Sequence, residues 1–178
     1  MRIQDIVYIA LFAALMAVLG LIPMISLGVV PVPITAQSLG PMLAGSILGA
    51  RRGALAILLF VLLVAMGLPL LAGGRGGLGV FVGPSAGFII AYPLAALVVG
   101  ALTQRFWDRL TFTRALAANV FGGIVVLYAV GVPVLVAVTR SPDAALASAV
   151  FLPGDLLKAC LAAFIAIFVK RGYPLIER

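Results

Sequence analysis

The sequence consists of long apolar runs that are interrupted only by short charged segments or by glycine- and proline-rich segments. Only 10% of the 178 residues are charged and 65% are hydrophobic, too few charges to cover the surface of a water-soluble fold. A span of the ~30 Å hydrocarbon core takes about 20 mostly apolar residues. The sequence therefore predicts an all-α integral membrane protein with six transmembrane helices, in a single domain of residues 1–178 without a separate soluble domain.

The apolar runs give the approximate bounds of the six helices. The predicted helices are residues 6–22, 36–50, 53–68, 85–103, 115–132 and 152–169. The fifth run continues as apolar sequence beyond Pro133, so its end is open to either side of that proline. The first run is long enough to span, and no small-residue cleavage site follows it, so we interpret it as a helix and not as a signal peptide.

The basic residues predict the orientation, because Lys and Arg concentrate in cytoplasmic loops. With the N-terminus inside, nine of the twelve basic residues fall in the cytoplasm: Arg2, Arg51, Arg52, Arg105, Arg109, Arg114, Lys170, Arg171 and Arg178. Arg75 and Arg140 fall outside, and Lys158 lies within the sixth helix. Both termini are therefore predicted to be cytoplasmic. Topology explains the net charge of +7 without nucleic-acid binding.

The three outer loops of this topology are nearly uncharged and rich in glycine and proline. Irregular backbone near membrane depth must be buried in protein or line a cavity. The loops therefore cover an outward-facing ligand pocket, or they are ordinary extracellular connections. The sequence shows no clear internal repeat, so it does not favour an inverted-repeat transporter.

Two charges in the outer half of the sixth helix are the strongest candidates for a binding site. Asp155 and Lys158 are three residues apart and share a helix face. At ~1.5 Å per residue, Lys158 lies about 18 Å above Lys170 and the inner boundary. A charge in hydrocarbon costs at least ~2.5–3.5 kcal/mol, which favours an interior cavity. Alternatively, Asp155 interacts with the helix dipole and Lys158 snorkels outward.

Polar residues before the second helix form another candidate group. They are Thr35, Gln37 and Ser38. One of them is expected to cap the helix, which needs an oxygen near its first N–H groups. Gln37 is also a candidate ligand contact, because its amide can both donate and accept.

A glycine-rich loop over residues 73–79 lets a backbone approach a ligand closely, and it includes Gly74. It lacks the Gly-Lys-Ser/Thr ending of a phosphate-binding loop. Its single charge, Arg75, either reaches a ligand carboxylate or is solvated. Phe88 and Tyr92 lie one turn apart in the fourth helix, where they line an apolar pocket or pack in the core.

Alanines spaced four residues apart in the first helix allow close helix–helix contact. They are Ala10, Ala13, Ala14 and Ala17. The same spacing recurs in the sixth helix at Ala159, Ala162, Ala163 and Ala166, where packing inside the bundle explains it equally well. Asn119 in the fifth helix is predicted to make an interhelical hydrogen bond.

Several chemistries are excluded by composition. The chain has no histidine and a single cysteine, Cys160. A histidine metal site, a Ser/His or Cys/His catalytic pair and an intrachain disulfide are therefore impossible. There is no Walker motif, so the chain is not expected to hydrolyse ATP. Nothing in the sequence favours an enzyme.

Three segments in chain order resemble one family of membrane proteins. They are residues 32–39 (VPITAQSL), the glycine-rich loop with residues 82–88 (VGPSAGF), and residues 153–158 (PGDLLK). Together they are similar to the BioY family, the biotin-binding S components of energy-coupling-factor (ECF) transporters. The resemblance extends over nearly the whole chain, with matching length and topology.

This resemblance implies six helices with cytoplasmic ends and a biotin pocket near the outer face of a bacterial or archaeal cytoplasmic membrane. Biotin is then the transported substrate, and no cofactor is expected. Asp155 and Lys158 are expected to touch its ureido ring. The further predicted substrate contacts are Gln37, Thr35, Gly74, Arg75, Phe88 and Tyr92.

The resemblance also implies partners. A transmembrane coupling subunit attached to two ATPase subunits is expected to dock on the first helix. The expected interface residues are Ala10, Ala13, Ala14 and Ala17. Membrane lipid is a further partner, nucleic acid is not expected, and a homo-oligomer is compatible with the sequence.

Biotin capture has two alternatives. A self-sufficient small-solute carrier would usually show internal repeats or a proton-relay acid deep in a helix, and neither appears. A purely structural membrane subunit predicts no tight ligand, and the Asp155 and Lys158 pair argues against it. Biotin binding by the purified chain discriminates among the three.

Overall fold

The apolar runs fold into helices in a computed structural model that describes residues 2–25, 31–172 and 175–176. The helices are α1 (Ile3–Gly20), α2 (Leu39–Leu48), α3 (Ala50–Ala65), α4 (Ala86–Arg105), α5 (Phe112–Val120), α6 (Leu127–Thr139), α7 (Asp143–Ala147) and α8 (Leu152–Gly172). Short 3₁₀ turns occur at Ala36–Ser38, Leu78–Phe81, Trp107–Arg109 and Ser148–Phe151. The described residues contain no β-strand, so the all-α class is confirmed.

Six helical stretches within these residues correspond to the six predicted helices. The largest difference is in the fifth, where α5 and α6 are joined by a π-helical segment, Phe121–Val126. The resulting helix runs through Pro133 to Thr139, so of the two ends left open by the sequence, the one beyond Pro133 is confirmed. The ring of Pro133 is tolerated inside this helix, as prolines are in helices that pack in membranes.

Four of the stretches are long and apolar enough to cross a membrane: Ile3–Gly20, Ala86–Arg105, Phe112–Thr139 and Asp143–Gly172. The other two are shorter, because α2 has 10 residues and α3 has 16. Each is extended at one end by a segment that is not α-helical. The Ala36–Ser38 turn precedes α2, and a turn at residues 66–67 follows α3.

Helix α2 forms the centre of the bundle, since all ten of its residues are buried. A helix that is apolar all round is expected to be surrounded by protein. Gly49 ends α2 at φ 83°, a left-handed conformation that favours glycine. Helix α3 begins at the next residue and packs against α2.

Two glycines let α4 approach the α2–α3 turn closely. A β-carbon at Gly100 would lie 2.3 Å from the backbone nitrogen of Ala50, and one at Gly45 would lie 2.6 Å from the carbonyl oxygen of Ala96. Real β-carbons do not reach such distances from backbone atoms. The Ala50 N–H also donates to Oε1 of Gln104, 3.1 Å away, and fixes α3 to the end of α4.

Polar contacts collect at the end of the bundle where α1 and α3 begin. Arg52 Nε lies 2.8 Å from Asp5 Oδ1, and Nη1 of the same arginine donates to the carbonyl of Leu175 at 2.8 Å. Lys170, at the end of α8, donates to the carbonyl of Trp107 and lies 5.2 Å from the centre of its ring. Arg52 and Lys170 are thus at the same end of the bundle.

Inside the bundle, a buried polar pair joins α2 to α5. Ser46 Oγ donates to Oδ1 of Asn119 at 3.1 Å, and Asn119 Nδ2 donates to the carbonyl of Ala115 at 2.9 Å. The predicted interhelical hydrogen bond of Asn119 is therefore confirmed. The four small residues of α8 at the repeated spacing, Ala159, Ala162, Ala163 and Ala166, are all buried and pack within the chain.

The close approach at Gly100 predicts a large effect of a small substitution. Gly100→Ala should destabilise the fold by about 1–3 kcal/mol, because the methyl group overlaps the backbone of Ala50 and forces the helices apart. Thermal unfolding in detergent measures the change. Gly172→Ala is the matched control, since a β-carbon at Gly172 meets nothing within 4 Å. Equal stability of the two variants would contradict the packing described above.

Candidate functional site

A cavity lies at the opposite end of the bundle from the Asp5–Arg52 pair. Its empty space, counted out through its open mouth with the solvent there included, is about 590 Å³. The lining comes from the segment before α2, the loop after α3, and helices α4, α6 and α8. The lining residues are Val32, Pro33, Ile34, Thr35, Gln37, Ser38, Leu71, Arg75, Ser85, Phe88, Ile89, Tyr92, Leu127, Tyr128, Phe151, Asp155 and Lys158.

Asp155 is the buried acid of this cavity, with 5% of its surface exposed. Its Oδ1 atom accepts hydrogen bonds from Ser38 Oγ at 2.9 Å and from Lys158 Nζ at 2.9 Å. Its Oδ2 atom accepts one from the hydroxyl of Tyr128 at 2.7 Å. A carboxylate oxygen can accept about two hydrogen bonds. The Oδ2 atom therefore keeps acceptor capacity for a further donor.

Lys158 lies on the side of the same helix that lines the cavity, and all three of its N–H groups donate hydrogen bonds. Its Nζ atom donates to the carbonyl of Thr35 at 2.7 Å and to Ser38 Oγ at 2.8 Å, besides its bond to Asp155. Asp155 and Lys158 lie on one face of the helix, as predicted, and they form an ion pair. The alternative, in which Lys158 snorkels outward, is wrong, because the pairing partners lie inside the bundle.

The hydroxyl of Tyr128 reaches Asp155 from the helix that contains the π segment. Two glycines of that segment allow close packing: a β-carbon at Gly122 would lie 2.5 Å from Val99, and one at Gly123 would lie 2.6 Å from Met42. Immediately after the segment, Tyr128 packs edge-to-face on Phe88, with ring centres 5.9 Å apart. The tyrosine is thus fixed by an aromatic contact on one side and by Asp155 on the other.

Arg75 is fixed at the wall of the cavity by the loop that carries it. Its Nε atom donates to the carbonyl of Ala72 at 3.1 Å, and Nη1 donates to Ser85 Oγ at 3.3 Å. The turn between Leu71 and Arg75 is closed by glycines, with Gly73 at φ 78° and Gly74 at φ 69°. Arg75 is therefore held at the cavity wall and is not freely solvated.

Most of the side chains predicted as substrate contacts line this cavity: Asp155, Lys158, Gln37, Thr35, Arg75, Phe88 and Tyr92. Gly74 does not. It lines a separate space between the loop and the end of α1, because the left-handed turn directs it away from the ligand cavity. The expected helix cap is also wrong, since neither Thr35 nor Ser38 makes a side-chain cap and the amide oxygen of Gln37 accepts from Ala72 instead. Ser38 Oγ bonds both members of the Asp155–Lys158 pair instead, and Thr35 contacts Lys158 through its backbone carbonyl.

Sequence reasoning missed Tyr128, Ser85 and Phe151 as cavity residues. Tyr128 lies in a uniformly apolar run, and its hydroxyl is the one feature that could have drawn attention to it. Ser85 and Phe151 belong to segments next to the predicted contacts. Their sequence positions alone do not show that their side chains line the cavity.

The small residues of α1 divide between two faces. Ala10 and Ala14 are exposed, whereas Ala13 is 4% exposed and packs within the bundle. Ala17 is half-buried. Only Ala10 and Ala14, of the four residues predicted to contact a partner, therefore lie on a free face. Ala13 is unavailable for such a contact as long as α1 stays packed.

Comparison with known proteins extends from sequence to fold. A family model described as the BioY family matches residues 1–175. The chain belongs to the BioY family. Among its relatives, a protein of Rhizobium etli named biotin transporter BioY is 50% identical over 99% of this chain and 98% of its own length. A probable biotin transporter BioY of Bacillus subtilis is 46% identical, covering 98% and 95% respectively. The family resemblance inferred from the sequence is confirmed.

A solved structure supports the same BioY assignment. It is the crystal structure of the S-component for biotin from an ECF-type ABC transporter, which matches with a TM-score of 0.90 and 31% sequence identity. The match covers 95% of this chain and 92% of that one. The BioY chain described here therefore shares the S-component fold over nearly its whole length.

The Tyr128–Asp155 contact predicts a measurable interaction energy. Tyr128→Phe should cost about 1.5–3 kcal/mol of stability, the range for a hydrogen bond to a charged group, as measured by denaturant unfolding in detergent. In an Asp155→Asn background the same change should cost about 0.5–1.5 kcal/mol, as for neutral partners. Equal losses in both backgrounds would show that Tyr128 acts through packing alone.

Proposed function

We propose that this chain is the high-affinity biotin-binding S component of an ECF-type vitamin transporter. It captures biotin at the outer face of a bacterial or archaeal cytoplasmic membrane and delivers it inward with an energising module. The observation that carries the proposal is the buried Asp155–Lys158 network, which faces an apolar cavity in a member of the BioY family. Biotin is the cargo of a transporter subunit here and not the cofactor or substrate of an enzyme.

The proposed topology has six transmembrane helices, both termini in the cytoplasm, and one substrate-binding domain. The distribution of charge supports it, since the end of the bundle with Asp5, Arg52 and Lys170 lies opposite the cavity. Because Lys and Arg concentrate on the cytoplasmic side of membrane proteins, we assign that end to the cytoplasm and the cavity to the outer face. Arg178, which belongs to the same predicted set, lies outside the described residues.

The chemistry of the cavity suits the ureido ring of biotin, which has two N–H donors and a carbonyl acceptor. The Oδ2 atom of Asp155 retains acceptor capacity and can take one ureido N–H. Lys158 has no free donor in the ligand-free network, so it reaches the ureido carbonyl only by releasing Thr35 or Ser38. Asp155 is therefore the first contact and Lys158 the second. Aromatic walls from Phe88 and Tyr92 enclose the bicycle.

The net charge of the cavity suits the carboxylate of biotin. Asp155 and Lys158 neutralise each other at 2.9 Å. Arg75 remains as the further cation among the described residues that line the cavity. A guanidinium held by Ala72 and Ser85 keeps other N–H groups available for a carboxylate. The valerate end of biotin is thus assigned to Arg75.

The expected partner is the transmembrane coupling subunit with its two ATPase subunits. In the described residues of α1, the exposed pair Ala10 and Ala14 offers a small-residue face that does not pack within the chain. Small residues at this spacing permit the close approach of another helix. This pair is therefore the proposed contact with the coupling subunit.

The proposed biotin contacts predict a loss of affinity in two variants. Asp155→Asn and Lys158→Ala should each weaken biotin binding tenfold or more, about 1.4 kcal/mol, because each removes one charge of the network. Isothermal titration calorimetry on the purified chain in detergent measures this. Asp143→Asn and Lys170→Ala are the matched controls, since neither residue lines the cavity. Unchanged affinity in both site variants would remove these residues from the site.

The proposed α1 contact predicts an effect on assembly but not on binding. Replacing Ala10 and Ala14 together by Leu should reduce co-purification with the coupling subunit at least tenfold, because the larger side chains keep the helices apart. Biotin affinity should stay within twofold of the unmodified chain. Ala137→Leu, on an exposed position of α6, is the control. Normal assembly of the double variant would place the coupling subunit elsewhere.

A further inference from the structure

The amide of Gln37 is bonded to the backbone of two other segments. Its Nε2 atom donates to the carbonyl of Leu70 at 3.0 Å and to that of Met16 at 3.3 Å. Its Oε1 atom accepts from the N–H of Ala72 at 2.9 Å. An amide has two N–H donors, and both are used here. With 2% of its surface exposed, Gln37 has little capacity left for a ligand.

The segment that Gln37 holds is a compact turn of residues 69–75, which we call the wall loop. Two backbone hydrogen bonds join Leu71 and Arg75 within it. The N–H of Leu71 donates to the carbonyl of Arg75 at 3.0 Å, and the N–H of Arg75 donates to the carbonyl of Leu71 at 3.2 Å. Leu71 and Arg75 are also its two contributions to the cavity lining. The wall loop can therefore move as a unit, and its position decides where both side chains lie.

A second space lies behind the wall loop, on the side away from the ligand cavity. Its empty volume, with the open solvent at its mouth included, is about 520 Å³, and it is lined by Ala17, Val18, Gly20, Leu21, Pro69, Leu70, Leu71 and Gly74. Leu71 lines both spaces, so the loop is a thin partition between them. The loop touches α1 closely at Gly20, where a β-carbon would lie 2.3 Å from the carbonyl of Leu70.

We propose that Gln37 is a positioning residue that holds the wall loop against the ligand cavity and so sets how tightly biotin is retained. Loss of its amide leaves the Leu70 carbonyl and the Ala72 N–H without their partner, and the wall loop withdraws into the space behind it. Leu71 and Arg75 then leave the cavity. The link between retention and biotin rests on the proposed function, whereas the link between Gln37 and the loop does not.

The decisive variant is Gln37→Met, which keeps the length of the side chain and removes its hydrogen bonds. Hydrogen exchange resolved to single amides by NMR, on the full chain in detergent without ligand, should show the Ala72 N–H exchanging at least tenfold faster. The Leu71 N–H, which is bonded to Arg75 within the loop, should keep its protection. A residue that only contacts ligand would not change exchange in the ligand-free protein.

Biotin affinity, measured by calorimetry on the same variant, should fall about tenfold. The matched control is Asn119→Leu, which removes another buried amide that joins two segments but does not line the cavity. Its biotin affinity should stay within twofold. Asp155→Asn should weaken biotin binding while leaving the exchange of Ala72 unchanged.

Three results would overturn this role for Gln37. They are normal Ala72 exchange in Gln37→Met, unchanged biotin affinity despite faster exchange, or an equal loss of affinity in Asn119→Leu. If the unmodified chain binds no biotin, the proposed function fails. The exchange of Ala72 still decides whether Gln37 holds the wall loop.

Discussion

The cavity end of the bundle depends on the buried ion pair between Asp155 and Lys158. Charges removed from water destabilise a fold by several kcal/mol unless each is paired and hydrogen-bonded. Here the remaining partners come from Ser38, the carbonyl of Thr35 and the hydroxyl of Tyr128. Together with the ion pair itself, these groups lie on three different segments. The ion pair therefore requires α8, α6 and the start of α2 to converge, and the cavity is the space left where they meet.

The features that sequence predicts well are those with a local physical cause. Long uncharged runs predict helices, and the bounds of α1, α3 and α4 lie within three residues of their predicted positions. Two charges three residues apart on an otherwise apolar helix predict a shared face, and they form an ion pair. Thr35 and Gln37, which the sequence predicts as ligand contacts, both line the cavity.

Contacts that depend on the route of the backbone could not be predicted in this way. Gln37 has the right chemistry to bind a ligand, but its amide is used by the backbone of residues 16, 70 and 72. Gly74 is in the expected loop, but the left-handed turn places it at the space between the loop and α1, and not at the ligand cavity. Tyr128 reaches Asp155 only because the helix before it is π-helical. None of these distances is encoded in local spacing.

The π-helical segment Phe121–Val126 also determines the direction of the later side chains of this helix. A π turn takes one more residue than an α turn, because its hydrogen bonds run from residue i to i+5. Removing one residue there would let the segment close as a regular α-helix. The later side chains would then keep nearly the same direction relative to α5, whereas closing the segment as an α-helix with all its present residues would rotate each of them by about 100°, one residue's share of a 3.6-residue turn. The register of the helix, as well as the identity of residue 128, thus determines which side chain faces Asp155.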